Sequence, residues 1–198
     1  FGLTLSTVMA NRGFRVYGVE KNKSIINHLK NKKSHFFEPG LGKNLGKIIS
    51  NKQFYYFKKI PKKKDITTYI VTVGTPLNKK RKILVSYISK AIKEISRVLK
   101  DDDMVILRST VRVGTTKNIA YPILQKTKKR FKLAFCPERA VEGSALKELH
   151  FLPQVIGGIN KQSINEAVKI FKFITKKIVI TSNVETAEMI KLIDNSSR

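Results

Sequence analysis

Short apolar runs alternate with amphipathic helical stretches along the whole chain, and this alternation most constrains the fold. Phe14 to Val19, Asp65 to Val73, Met104 to Leu107, Lys132 to Phe135 and Lys177 to Ile180 each read as a strand; Phe54 to Phe57 reads as a shorter one, and Val155 to Gly158 as a strand end. Between them, Gly2 to Asn11, Lys23 to Lys30, Val85 to Leu99 and Ser163 to Phe173 place apolar residues at helical spacing, as in Ile88, Ala91, Ile92, Ile95, Val98 and Leu99. Glu38-Pro39-Gly40-Leu41 reads as a turn before a short helix, and Leu146 to Leu152 as partly helical. Strands separated by helices need crossover connections, so the expected class is α/β with a doubly wound parallel sheet.

Polar residues gather where these strands end. Phe135-Cys136-Pro137-Glu138-Arg139-Ala140-Val141-Glu142-Gly143 follows one of them. Pro137 cannot donate to a ladder, so the strand stops there. Glu138 and Glu142 then lie four residues apart. Carboxylates at the carboxyl ends of sheet strands can act as bases, orient water or bind sugar hydroxyls. Taken alone, the stretch reads equally as a solvated loop. Gly74-Thr75-Pro76 ends a second strand and Arg108-Ser109-Thr110-Val111 a third; each reads as ligand contact or as plain turn chemistry. Convergence of several polar tips on one crevice is stronger evidence than any one of them.

The N-terminal segment has the pattern of half a dinucleotide-binding unit: helix, strand, then Glu20 at the strand tip. An acid there accepts hydrogen bonds from the adenosine ribose, and Glu20 stands at about the right distance from Gly2. Gly2 fits the third glycine of a G-x-G-x-x-G turn, or an ordinary glycine near a chain end. On the first reading the first strand and phosphate-cradling turn precede Phe1, and the sheet lacks its first strand. From Ser182 a new helix starts with good capping residues. Lys191 and Asn195 share one of its faces, which by itself reads as an exposed helix surface.

Composition narrows the function classes. The 198 residues are 41% hydrophobic, enough for a real core. No apolar run approaches the ~18 residues of a membrane span, and no signal peptide is visible. The single cysteine, Cys136, excludes an intrachain disulfide and fits a reducing, cytoplasmic compartment. No metal site is expected. The net charge of +26 raises nucleic-acid binding. Lysine greatly outnumbers arginine and is scattered, with local clusters at Lys62 to Lys64, Lys79 to Lys82 and Lys126 to Arg130. That pattern favours a compositional bias over phosphate recognition, which prefers arginine forks.

Six ordered motifs give the chain a resemblance over essentially its whole length. They are Glu38-Pro39-Gly40-Leu41; Val73-Gly74-Thr75-Pro76-Leu77; Ser109-Thr110-Val111 with Gly114-Thr115-Thr116; Cys136-Pro137-Glu138-Arg139 with Glu142-Gly143; Leu152-Pro153-Gln154 with Gly157-Gly158; and Ala187-Glu188-Met189-Ile190-Lys191-Leu192 with Asn195. In this register the chain resembles the nucleotide-sugar 6-dehydrogenases, the UDP-glucose and UDP-N-acetylmannosamine dehydrogenase family. The resemblance implies a Rossmann-like NAD-binding domain over residues 1–181 and the start of a long central, dimer-forming helix over 182–198. It implies NAD-dependent, four-electron oxidation of the C6 alcohol of a UDP-sugar, with a homodimer in the full-length enzyme and neither nucleic acid nor membrane as partner.

The resemblance also implies roles. Glu138 matches a glutamate of acid–base work and thioester hydrolysis, and Thr110 a threonine near the reacting carbon and nicotinamide. Lys191 and Asn195 match a pair that steadies an oxyanion and contacts substrate. Gly2, Glu20, Thr75, Thr110 and Glu142 match cofactor-contacting positions. The segment Glu138, Arg139, Ala140, Val141, Glu142 matches a substrate-lining one. Three departures stand out: Ile25 replaces a basic residue, with Lys21 or Lys23 nearby; the glycine-rich start is absent; and the nucleophilic cysteine is expected beyond Arg198, since Cys136 is not that residue. The fragment alone is therefore expected to be inactive. Cys136-Pro137-Glu138-Arg139 leans toward an N-acetylated UDP-hexosamine, while Glu142-Gly143 resembles the UDP-glucose branch, so the expected substrate is either of the two. The alternatives are a β-hydroxyacid-type NAD dehydrogenase, in which Glu138 and Glu142 have no obvious task, a basic nucleic-acid-binding module, and a non-catalytic fragment.

Overall fold

A computed structural model of the chain describes residues 2–63, 65–76 and 84–196. Leu77, Lys64 and the Lys79 to Lys82 loop of the sequence reading lie outside these residues. The elements are α1 (Gly2–Asn11), β1 (Val16–Val19), α2 (Lys23–Lys30), α3 (Leu41–Ser50), β2 (Phe54–Phe57), β3 (Thr68–Val71), α4 (Ser86–Ser96) and β4 (Asp103–Leu107). A π-helical turn (Thr116–Ala120) runs into α5 (Tyr121–Gln125), followed by β5 (Phe131–Phe135), α6 (Ala145–Phe151), β6 (Gln154–Gly158), α7 (Lys161–Lys172), β7 (Ile178–Ile180) and α8 (Val184–Ser196). The fold divides into two compact units: Phe1–Lys62 with Ala140–Leu152 and Phe173–Lys176, and Lys63–Arg139 with Pro153–Lys172 and Lys177–Arg198.

In the first unit β1 and β2 pair in parallel, Val16 opposite Phe54 through Val19 opposite Phe57. The helices bury one apolar stripe each: Ile26 and Leu29 on α2, Leu41, Leu45 and Ile48 on α3. Ala10, Leu29, Leu45, Ile48 and Phe54 form one cluster, with Ile25 packed against it. Ile25 therefore supports the core at the place where the family resemblance has a basic residue. α1 stops where the sequence places the stop, because Gly13 adopts φ +93°. The helix after Gly40 is longer than expected, at ten residues.

In the second unit five strands lie in the order β3-β4-β5-β6-β7. β3, β4 and β5 are parallel neighbours, and all five residues of β4 are buried, as a central parallel strand requires. One join departs from the expected parallel sheet: β6 runs antiparallel to β5 through Ala134 opposite Gly158 and Phe135 opposite Gly157. β7 is again parallel to β6. Only the carboxyl tips of β5 and β6 overlap. The earlier part of β6 therefore runs past the end of β5, alongside the chain that leaves it. A parallel return would instead need a crossover back to the start of β5. This placement brings Gln154 opposite Cys136 to Glu138.

α8 packs on β6 at Gly157. A Cβ there would stand 2.8 Å from the Ala187 Cβ, 2.9 Å from the Asn183 carbonyl oxygen and 2.9 Å from Thr181 Oγ1. Two of these three neighbours are fixed by backbone, so the helix must move to admit a methyl group. Gly157→Ala is expected to destabilise the protein by about 1–3 kcal/mol in urea unfolding, the range for overpacking a tight contact. Unchanged stability would show that α8 is not held against β6 at this distance.

Candidate active site

Three strand tips of the second unit are tied to one another, β3 to β4 by side-chain hydroxyls and β4 to β5 by backbone amides. After β3, Thr75 Oγ1 donates to the Thr110 carbonyl at 2.7 Å. After β4, Ser109 Oγ donates to the Val73 carbonyl at 2.6 Å. After β5, the Cys136 amide donates to the Leu107 carbonyl at 2.8 Å and the Glu138 amide to that of Arg108 at 3.3 Å. These bonds extend the ladder past the regular strands and fix Thr110 and Glu138 relative to each other.

α8 adds the fourth side. Asn183 caps it, accepting from the Thr186 amide at 2.8 Å. Asn195 Nδ2 lies 3.5 Å from Thr110 Oγ1, so two expected site residues meet. Lys191 stands one turn earlier on the same face. Arg139 directs its fork at α8: Nε and Nη2 donate to the two carboxylate oxygens of Asp194 at 3.3 and 3.2 Å, and Nη1 to the Pro153 carbonyl at 3.4 Å. The residue after Glu138 is thus bound to the residue before Asn195.

Glu138 itself is paired with a residue for which the sequence reading had no role. Its Oε2 accepts from Arg108 Nη2 at 2.7 Å, and the Arg108 side chain is essentially buried. Arg108 Nη1 donates to the Cys136 carbonyl at 3.0 Å and to Gln154 Oε1 at 2.8 Å. The one local signal for this arginine is its place directly after the apolar run Met104 to Leu107, in a chain where lysine greatly outnumbers arginine. Cys136 is no candidate nucleophile. Its thiol is fully buried and burial pushes it up to about 12, with only Arg108 pulling the other way.

The other expected residues belong to the first unit. Gly2 opens α1, and its carbonyl accepts from Ser6 Oγ at 2.8 Å. Glu20 follows β1 directly, and its Oε1 accepts from the Asn22 amide at 2.8 Å. That bond holds the carboxylate at the strand tip, where it retains further acceptor sites. Ala140 is buried; Val141 and Glu142 are exposed. Two carboxylates shape this loop. Glu38, buried to 5% exposure, accepts from the Gly143 amide at 2.8 Å and the Leu146 amide at 3.0 Å, capping α6. Glu148 accepts from the Val141 amide at 2.7 Å and Ser144 Oγ at 2.8 Å. Gly143 adopts φ +90°, the left-handed conformation that suits a glycine before a helix start.

Residues 1–175 match the NAD binding domain of the UDP-glucose/GDP-mannose dehydrogenase family. A UDP-N-acetyl-D-mannosamine dehydrogenase of Methanococcus maripaludis (strain C7) is 35% identical over 100% of this chain and 45% of its own length. One from Methanocaldococcus jannaschii is 36% identical, with 100% and 46% covered. Among solved structures, a UDP-N-acetyl-mannosamine dehydrogenase from Staphylococcus aureus superposes with TM-score 0.93 at 27% identity, over 100% of this chain and 49% of its own. A GDP-mannose dehydrogenase from Pseudomonas aeruginosa, solved as a ternary complex, gives TM-score 0.89 at 27% identity, with 99% and 47% covered. The chain belongs to the UDP-glucose/GDP-mannose dehydrogenase family. It spans about half the length of the curated relatives it matches.

Glu188 supplies a pH test of the site's scaffold. This fully buried carboxylate accepts from the Gly114 amide at 2.6 Å, the Thr116 amide at 2.8 Å and Thr116 Oγ1 at 2.6 Å, and so holds the start of the π-helical turn to α8. Burial pushes its carboxyl above the ordinary glutamate value, against the lowering pull of those three donors. A carboxyl raised on folding stabilises fully below its unfolded value, and that stabilisation is lost as pH rises through the folded one. Glu188's contribution should therefore decline as pH rises from about 4.3. In unfolding curves taken across pH, Glu188→Gln should lack that decline; matching slopes for the two proteins would contradict the assignment.

Proposed function

We propose that this chain is the cofactor-binding half of a cytoplasmic enzyme that oxidises the C6 alcohol of a UDP-N-acetylhexosamine to a carboxylate. The observation that carries the reading is the approach of Asn195 to Thr110 at the strand edge where Thr75 follows β3 and the Arg108-paired Glu138 follows β5. Ligands of open α/β sheets bind at that edge. Overall, alcohol, water and two NAD⁺ give carboxylate, two NADH and three protons. The residues suit NAD, which when bound accepts the hydrides. Glu20 offers carboxylate oxygens to the adenosine ribose hydroxyls and repels a 2′-phosphate, so NAD is preferred to NADP. Gly2, Thr75, Thr110 and Glu142 complete the cofactor contacts.

Glu138 takes up the proton released from the reacting oxygen. Lys191 and Asn195, one turn apart on α8, donate to the oxygen that gains negative charge. Arg139 keeps α8 in register through Asp194, while Ala140, Val141 and Glu142 line the substrate. The thiolate that captures the aldehyde comes from outside these 198 residues, because the Cys136 thiol is buried and held protonated. The segment 182–198 begins the central helix. Met189 and Ile193 are exposed there, 46% and 60%, and a second copy covers them in a homodimer. The names of the relatives favour an N-acetylhexosamine, as does Cys136-Pro137-Glu138-Arg139.

The test uses the full-length protein that contains this chain, with UDP-N-acetylmannosamine and NAD. Two NADH should form per sugar. NADP should support turnover about 100-fold less efficiently, the equivalent of about 3 kcal/mol of charge repulsion at Glu20. No NADH with any UDP-hexosamine, or equal use of NADP, would contradict the reading.

A further inference from the structure

Arg108 is 2% exposed, and a guanidinium that deep needs its charge answered; both Nη atoms are met, while Nε is buried without a hydrogen-bond partner. Glu138 matches the charge. The Cys136 carbonyl and Gln154 Oε1 match Nη1. The Phe171 ring lies under the group, 5.0 Å from ring centre to guanidinium carbon. Gln154 is itself fixed, with Nε2 donating to the Pro137 carbonyl at 3.2 Å and the Val155 carbonyl at 2.8 Å. Its amide has one workable orientation, oxygen toward the arginine and nitrogen toward the two carbonyls. Arg108 and Gln154 together therefore grip three consecutive residues: the carbonyls of Cys136 and Pro137 and the carboxylate of Glu138.

We propose that Arg108 is a positioning residue that keeps the resting Glu138 ionised and in one orientation, so that its carboxylate is held ready as the proton acceptor. The inference rests on the functional reading above for what the proton acceptor acts on. The geometry makes any protonation of Glu138 transient, because it leaves the buried guanidinium without its anion. The same contact explains why an arginine is needed. A lysine offers one point charge and cannot reach the carboxylate, the Cys136 carbonyl and Gln154 together in one plane.

The experiment compares the full-length wild type with Arg108→Lys and Arg108→Met. The first readout is the 13C titration of the Glu138 carboxyl, assigned by Glu138→Gln, which needs no substrate. The second is the pH dependence of kcat. Arg108→Met should move the Glu138 midpoint up by about 1–3 pH units, the range for losing an adjacent arginine. The acidic limb of kcat should move with it, while KM for the UDP-sugar stays within about twofold, because the lock acts on Glu138's proton rather than on uniform substrate binding. Arg108→Lys should shift the midpoint less and lower kcat about tenfold through lost orientation. If Arg108→Met does not fold, Arg108→Lys decides. Unmoved midpoints, or a fall in kcat with no movement of the acidic limb, would overturn the proposal. A wild type inactive on every UDP-hexosamine but with the predicted midpoints would sink the functional reading and leave the lock standing.

Discussion

A positive charge buried at the carboxyl end of β4 has to be answered by the chain around it, and the second unit is built around that answer. Arg108 follows β4, an inner strand whose five residues are all buried. Its neighbours must then supply an anion, two further acceptors and an apolar surface, and they come from β5, β6 and α7. The antiparallel run of β6 makes this possible, because it lays Gln154 beside the segment leaving β5. A parallel β6 would put its first residue at the opposite end of the strand.

Buried carboxylates organise the rest in a similar way. Within the first unit Glu38 closes the start of α6, and within the second Glu188 closes the π-helical turn. In each case backbone amides that a helix start leaves without partners are met by a carboxylate from a distant segment. Each such contact fixes a loop that carries candidate site residues: Ala140 to Gly143 in one unit, and Thr110 to Thr116 with α8 in the other. Rigid support of this sort is what a site needs if its side chains are to hold one geometry.

Much of this was legible in the sequence, and the parts that were not share a physical cause. α2 and β2 lie where the sequence puts them, because what forms them is local: in the structure Asn22 caps the helix, and four successive aromatic residues make the strand. β3 is shorter than the apolar run Asp65 to Val73, since the regular ladder is limited to the residues opposite Met104 to Leu107. The direction of β6 has no signature in a short strand, as parallel and antiparallel runs share one alternation. The partners of Glu38 and Glu188 lie 105 and 74 residues away, so their motifs were visible and their tasks were not. The pairing of Arg139 with Asp194, 55 residues on, had no local signal either. The resemblance named Thr110 and Asn195 separately as site residues, and the structure brings them to 3.5 Å.

The central claim is that the tips of β3, β4 and β5 form one reaction site around a carboxylate whose position is fixed by Arg108. A crystal structure of the full-length protein with NAD and the UDP-sugar tests it most directly. The account predicts the sugar C6 oxygen within hydrogen-bond reach of Asn195 or Lys191, beside Thr110, with Glu138 still paired to Arg108. A sugar bound away from these residues, or Glu138 turned off Arg108 to meet it, would contradict the account.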